Sequence, residues 1–230
     1  MAASLITRLR HRLAALAVKA VQRLGRRDVR VLGKTYRVTP AVFNPRHFGT
    51  SRFMARHIEA GPNDAVLDMG TGCGIQAIVA AGAAGRVVAA DVNPEAVRCA
   101  RENVAACGLA DRVAVVESDL FAALDPAERF TVILFTPPYL EGTPRSAFDR
   151  ALYDPGKALL RRFFADAPAF LAPGGTVQMI YSSIADIPAA LAIAGELGWR
   201  HTLVAERRFF GERLAIYRLA LGRPAGAMPA

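Results

Sequence analysis

The hydrophobic pattern opens on a helix. Between residues 4 and 25, Leu5, Leu9, Leu13, Leu16, Ala20 and Leu24 recur at spacings of three or four and fall on one face. Arg8, Arg12, Lys19, Arg23 and Arg26 gather beside them, and Gly25 is a stop signal. The pattern predicts an amphipathic helix packed on the rest of the chain with its basic face in water. An anionic membrane surface, RNA or a partner protein would suit the same helix. "VRVLGKTYRV", with Gly33 in the middle, predicts a hairpin. "FNPRHFGTSRFMARHIEA" predicts a proline turn and then a helix capped by Thr50 or Ser51.

From residue 64 the pattern alternates. "AVLDM", "RVVAADV", "VAVVES", "FTVILFT" and "GTVQMIYSS" are short apolar runs that predict strands. Between them lie helical segments, among them "IQAIVAAGAA", "PEAVRCARENVAACG" and "LLRRFFADAPAFLA", the last broken near Pro168. "IADIPAALAIAGELG" predicts one more helix. "RHTLVAERRF" and "RLAIYRLALG" predict two closing strands joined by a tight turn at Gly211. Strands alternating with helices imply an α/β fold, a doubly wound parallel sheet covered on both faces. The closing hairpin adds an antiparallel edge. The expected organisation is a basic helix over residues 1–30, a hairpin and helix over 31–60, a main domain over 61–223 and a tail over 224–230.

Composition changes this picture little. The chain has 230 residues, which fits one sizeable domain, and its 53 % apolar content fills a core. Charge is more telling by its distribution. Residues 1–30 hold eight Lys/Arg and one acid, so of the net +9 only +2 belongs to the remainder. Nucleic acid is therefore not a favoured partner of the main domain. Cys73, Cys99 and Cys107 form no CxxC pair and the four histidines are scattered, so no metal site or disulfide framework is expected. A reducing cytoplasm is the default expectation. The apolar stretch "LAALAVKAV" is interrupted by Lys19 and is not read as a signal peptide, while an organellar transit peptide stays open.

The chemistry gathers at strand ends. "VLDMGTGCG" places Asp68, Gly70, Thr71, Gly72 and Gly74 after the first core strand, where ligands bind in open α/β sheets. The G-x-G-x-G spacing differs from the dinucleotide G-x-G-x-x-G. Asp91 ends the next strand, where a carboxylate can accept hydrogen bonds from vicinal hydroxyls. Asn93 is the better helix cap there, with Pro94 in the first turn. "ESDLF" ends the third strand with Asp119 and Leu120. "FTPPY" ends the fourth, with Thr136, Pro137, Pro138 and Tyr139.

Taken in order, these stretches resemble class I S-adenosylmethionine-dependent methyltransferases from about residue 40 to residue 221. Within that class they are most similar to HemK-like enzymes, which methylate glutamine side chains of release factors. The narrower likeness rests on "NPRHFGTSRF", the PPY corner and the closing "RRFFGERLAIYRL". The resemblance implies a Rossmann-like seven-stranded sheet and S-adenosyl-L-methionine as cofactor, leaving S-adenosyl-L-homocysteine. It implies that Asp68, Gly70, Thr71, Gly72 and Gly74 line the methionine part, with Thr50 touching it. It places Asp91 at the ribose, Asn93 beside it, and Asp119 and Leu120 at the adenine.

In Asn-Pro-Pro-Tyr enzymes, the Asn side chain and the first proline carbonyl accept the two protons of the acceptor nitrogen. Here Thr136 stands in place of Asn, and a hydroxyl is shorter and carries no carbonyl. Three readings follow. The acceptor is an amide or amine held mainly by the Pro137 carbonyl; it is another nucleophile; or activity is lost. A protein side chain or a small molecule would fit better than an RNA base. A nicotinamide-dependent oxidoreductase and a non-catalytic cofactor-binding subunit are the rival classes. Downstream, "LEGTPRSAFDRALYDPG" is the expected acceptor loop. Phe148, Asp149, Arg150 and Tyr153 are candidate contacts, an Asp149–Arg150 ion pair is an alternative, and Glu141 is a weak candidate base.

Overall fold

The computed structural model describes residues 5–24, 27–209 and 212–222. The turn expected at Gly211 and the tail expected over 224–230 lie outside those residues, as does the stop expected at Gly25.

The main body is a seven-stranded sheet. Its strands are β3 (Ala65–Met69), β4 (Arg86–Asp91), β5 (Val113–Glu117), β6 (Phe130–Phe135), β7 (Leu171–Ser182), β8 (Trp199–Phe209) and β9 (Glu212–Leu221). Their order is β5-β4-β3-β6-β7-β9-β8. The first five pair in parallel, and β9 pairs antiparallel with both β7 and β8. Along β6 the side chains alternate: Val132 and Leu134 join one core, Ile133 and Phe135 the other. The first core takes Ile75 and Ile78 of α3 (Ile75–Ala80) and Ala96 and Val104 of α4 (Pro94–Ala106). A single turn, α5 (Ala147–Arg150), follows β6, and the second core takes Phe163 of α6 (Ala158–Asp166) and Ala190 of α7 (Ile187–Glu196). Both faces of the sheet are therefore covered, which explains strands that read as almost unbroken apolar runs.

The expected hairpin is β1 (Asp28–Val31) with β2 (Lys34–Arg37). Its two-residue turn puts Leu32 at φ 50° and Gly33 at φ 79°, the left-handed pair that matches strand twist. Asn103 of α4 fastens it by bonding both the N–H and the carbonyl of Arg37. The following helix, α2 (Gly49–Ala55), differs from expectation at its start. It begins at Gly49 behind an extended Phe48, with no side-chain cap, because Thr50 already lies inside the first turn.

The first helix, α1 (Leu5–Leu24), is present but turned the other way round. Leu9, Leu13 and Leu16 are 58, 59 and 56 % exposed, while His11, Ala15 and Gln22 are buried. The reason is hydrogen bonding. The Gln22 amide donates to the Val42 carbonyl at 2.6 Å and accepts from the Asn44 N–H at 3.2 Å. Lys19 pairs with Asp149 at 2.6 Å. Polar groups that satisfy loop backbone thus select the packed face, and the leucine stripe is left outward. Among the described residues, no helix is long and apolar enough to cross a membrane.

Candidate functional site

Beyond Met69 the chain doubles back through Gly70, Gly72 and Gly74, at φ 75°, 58° and 83°. L side chains rarely adopt this region, so glycine is required at alternate positions. The turn hangs from β4: the N–H groups of Gly70 and Thr71 both donate to the Ala90 carbonyl. Asp68 pins it from beneath. One carboxylate oxygen accepts from the Thr71 hydroxyl at 2.6 Å and from the Ala77 N–H at 3.0 Å, while the other is buried without a partner. Burial pushes the Asp68 carboxyl up to about 7; the Asp91 charge adds to this, and the bonds from Thr71 and Ala77 oppose it.

Asp91 ends β4 and ties two loops together. Its oxygens accept from the Gly72 N–H and the Asn93 N–H, each at 2.9 Å. Burial raises this carboxyl, and bonds from Asn93, Gly72 and Val92 oppose the shift. Asn93 caps α4 by accepting from the Glu95 N–H at 3.0 Å, as expected, and donates to the Ala41 carbonyl. After β5, Ser118 accepts from the Ala123 N–H and donates to the Leu120 carbonyl, holding Leu120 at φ 51°. A left-handed leucine is strained and persists only where its surroundings enforce it. Asp119 pairs with Arg162 at 3.1 Å.

At the end of β6, Thr136 accepts a hydrogen bond at 2.9 Å from the side-chain amide of Gln76. Pro137 is buried, and Pro138 and Tyr139 are half-buried. The Tyr139 ring lies 5.6 Å from that of Tyr181. Burial raises the Tyr139 phenol well above its ordinary value; the Glu212 charge adds to this and a bond to Ser182 opposes it. The phenol is therefore a neutral donor at ordinary pH, not a base.

One cavity of about 380 Å³ joins these pieces. Gly70, Thr71, Gly72, Asp91 and Asn93 line its donor side, with Thr50, Asp119 and Leu120. Thr136, Pro137, Pro138 and Tyr139 line the same cavity. Asp68 and Gly74 are not in the wall. Asp68 supports the loop from below, and Gly74 packs against Ala100, where an added Cβ would approach to 3.4 Å.

Of the expected acceptor loop, Arg150 lines the cavity. Asp149 pairs with Lys19, not Arg150, and accepts from the Arg145 N–H. Phe148 stacks on Phe43 at 5.1 Å, and Tyr153 lies under Lys19. The Glu141 carboxylate bonds the Gly156 N–H and faces Lys157, so it is occupied away from the corner.

Several cavity residues carried no signal in the pattern. Ala14 and Val18 of α1 form part of the wall beside Leu140 and Leu152. His11 holds α1 there. Its Nδ1 accepts from the Glu141 N–H at 2.8 Å, so the proton sits on Nε2, which donates to the Ile184 carbonyl at 3.0 Å. Gln76 is the polar member of an otherwise apolar "IQAIVA", a signal that could have been noticed.

The cavity suits one kind of cofactor. An added Cβ at Gly70 would meet nothing within 4 Å, so backbone there is open to close approach. Asp91 presents a carboxylate to the cavity, and Leu120 an apolar edge. With this sheet order, these features define a Rossmann-like S-adenosylmethionine-dependent methyltransferase. The chain belongs to the methyltransferase small domain family, whose model matches residues 35–210. It is 30 % identical over 195 residues to a Methanocaldococcus jannaschii protein provisionally named protein N5-glutamine methyltransferase, covering 82 % of this chain and 96 % of that one. It is 35 % identical over 160 residues to the release factor glutamine methyltransferase of Cereibacter sphaeroides. That match covers 64 % of this chain and 56 % of the relative, so the chain spans little more than half the length of that enzyme. A ribosomal protein uL3 glutamine methyltransferase of Bordetella pertussis is 37 % identical over 125 residues, 49 % of this chain and 42 % of that one. The fold is shared with a Thermus thermophilus 16S rRNA N2 methyltransferase solved with AdoMet and guanosine. There the TM-score is 0.63 at 21 % identity, over 85 % of this chain and 50 % of the other.

Proposed function

We propose that this enzyme methylates the side-chain amide nitrogen of a glutamine in a protein. The observation that carries the reading is the placement of the glycine loop and the PPY corner at the ends of adjacent strands. In β3 and β6, Met69 is the register partner of Phe135, and the residues that follow both strands line one cavity. The curated relatives support glutamine as the acceptor.

When bound, S-adenosylmethionine supplies a methyl group already activated on a sulfonium. In this reading Asp91 accepts hydrogen bonds from the ribose hydroxyls, with Asn93 beside it. Gly70, Thr71 and Gly72 approach the methionine part, as does Thr50, and Asp119 and Leu120 flank the adenine. Asp68 and Gly74 act indirectly by shaping the loop. At the corner, the Thr136 hydroxyl and the Pro137 carbonyl accept hydrogens of the acceptor amide, turning its lone pair toward the methyl. Tyr139 packs on the amide. The work is orientation and exclusion of water, which can contribute about 7 kcal/mol or more. No strong base is needed before attack, which fits a wall where Tyr139 stays protonated and Glu141 is engaged elsewhere.

A small-molecule acceptor is the second reading, and the apolar wall that Ala14 and Val18 of α1 add to the cavity favours it. The test is incubation of the purified protein with isotopically labelled S-adenosylmethionine and recombinant release factor or ribosomal protein uL3. Label recovered as N5-methylglutamine by tandem mass spectrometry supports the proposal. Label found only in the low-molecular-weight fraction of an added cell extract would replace it with the second reading.

A further inference from the structure

Gln76 is the second residue of α3 and only 4 % exposed. Its Nε2 donates to the Thr136 hydroxyl oxygen, and its Oε1 is buried with no partner. The reverse assignment of the carboxamide would bury two unpartnered N–H bonds in place of one carbonyl, so the assignment is chemically the better one. A buried carbonyl left without a donor is unfavourable and needs a reason. Gln76 lies in the cavity wall, bonded to the residue that begins the acceptor corner.

The chemistry of that corner supplies the reason. A hydroxyl has one proton and two lone pairs. The Gln76 N–H occupies one lone pair of Thr136 and so fixes the direction of the other. With the Pro137 carbonyl on one hydrogen of an amide NH₂, that remaining lone pair alone must hold the other, and a hydroxyl brings no carbonyl to the task. The Gln76 carbonyl is a spare acceptor on the very group that orients Thr136. We propose that Gln76 is a positioning and specificity-determining residue of the acceptor site. Its carboxamide and the Thr136 hydroxyl work as a unit. The N–H aims the hydroxyl, and a turn of the carboxamide brings Oε1 onto the incoming amide. The pair thereby presents a side-chain carbonyl at a corner whose own residue 136 has none. The inference rests on the amide reading of the acceptor given above.

The experiment uses the full chain loaded with S-adenosylhomocysteine, so no turnover occurs. The probes are capped glutamine (N-acetylglutamine N-methylamide) and capped methionine, which is similar in shape and lacks the amide. Binding is followed by calorimetric titration of each probe into the loaded protein. The wild type is expected to prefer capped glutamine by roughly tenfold or more, and Gln76→Leu to lose most of that preference. The S-adenosylhomocysteine affinity of Gln76→Leu should stay within about twofold, which also certifies its fold. The double variant Gln76→Leu/Thr136→Asn, which places a carbonyl on residue 136 itself, should regain the preference. If Gln76→Leu keeps the wild-type preference, Gln76 is only structural and the amide reading stands without it. Failure of the double variant to recover would overturn the assignment of Oε1 as the supplied oxygen. If the wild type shows no preference, the amide reading fails and this inference falls with it.

Discussion

Replacing Asp91 separates a cofactor ligand from a loop fastener. Its two oxygens already accept from the Gly72 and Asn93 N–H groups at 2.9 Å. Each carboxylate oxygen keeps a further lone pair, and Asp91 lines the cavity. A hydrogen bond to a charged group contributes about 1.5–3 kcal/mol, so two ribose hydroxyls imply roughly 3–6 kcal/mol. At about 1.4 kcal/mol per decade, Asp91→Ala should weaken S-adenosylhomocysteine binding by about 100-fold or more. Asp91→Asn is not conservative here. Both resident partners are donors, and an amide has only one accepting end, so Gly72 or Asn93 would meet an NH₂. The Asn variant should therefore bind nearly as poorly as Ala. Calorimetric titration of S-adenosylhomocysteine into wild type and both variants measures this, with thermal melting to certify the fold. If Asp91→Ala melted normally and bound within about threefold of wild type, Asp91 would be a fastener alone and the donor-side assignment would be refuted.

Two further predictions concern the support of the site. The Asp68 carboxyl is raised in the folded chain to about 7 from 3.8, so the unfolded chain loses this proton first as pH rises. Its contribution to stability is complete below pH 4 and disappears as pH climbs through 7, with a ceiling on the order of 4 kcal/mol because Asp91 titrates against it. Urea unfolding of the ligand-free protein across that range should show a shallower decline in Asp68→Asn; an unchanged slope would count against the raised carboxyl. His11→Ala removes two of the bonds that hold α1, those to the Glu141 N–H and the Ile184 carbonyl. Hydrogen–deuterium exchange between residues 9 and 22 should accelerate by roughly tenfold or more while β3 and β6 stay protected. Equal exchange in α1 would show that the leucine-bearing helix is held by other contacts.

The sheet was readable because two independent signals agreed. Apolar runs such as "TVILF" have strand length, and glycines stand where the chain must turn with positive φ. The fastening of the site was not readable, because its contacts join residues far apart in sequence. His11 bonds residues 130 and 173 positions away. Gln76 meets Thr136 across 60 positions. Periodicity reveals which face of α1 is apolar but not which face is covered, and here Gln22, His11 and Lys19 decided against the leucines. Spacing likewise grouped Asp68 and Gly74 with the loop but could not distinguish its lining from its backing.

The neighbouring placement of β3 and β6 makes the sheet a ruler for the reaction. Paired strands lie about 4.8 Å apart, and this interval sets the spacing between the glycine loop and the PPY corner. A two-residue slip of β6 would carry Thr136 about 6.6 Å along the strand. That exceeds the roughly 3–3.5 Å at which reacting atoms must meet. The loops and α1 can therefore vary to admit different acceptors, while the interior of β6, Val132 to Phe135, is bound to a fixed register. A lesion there would disturb the rate of methyl transfer before it disturbed the affinity for either substrate.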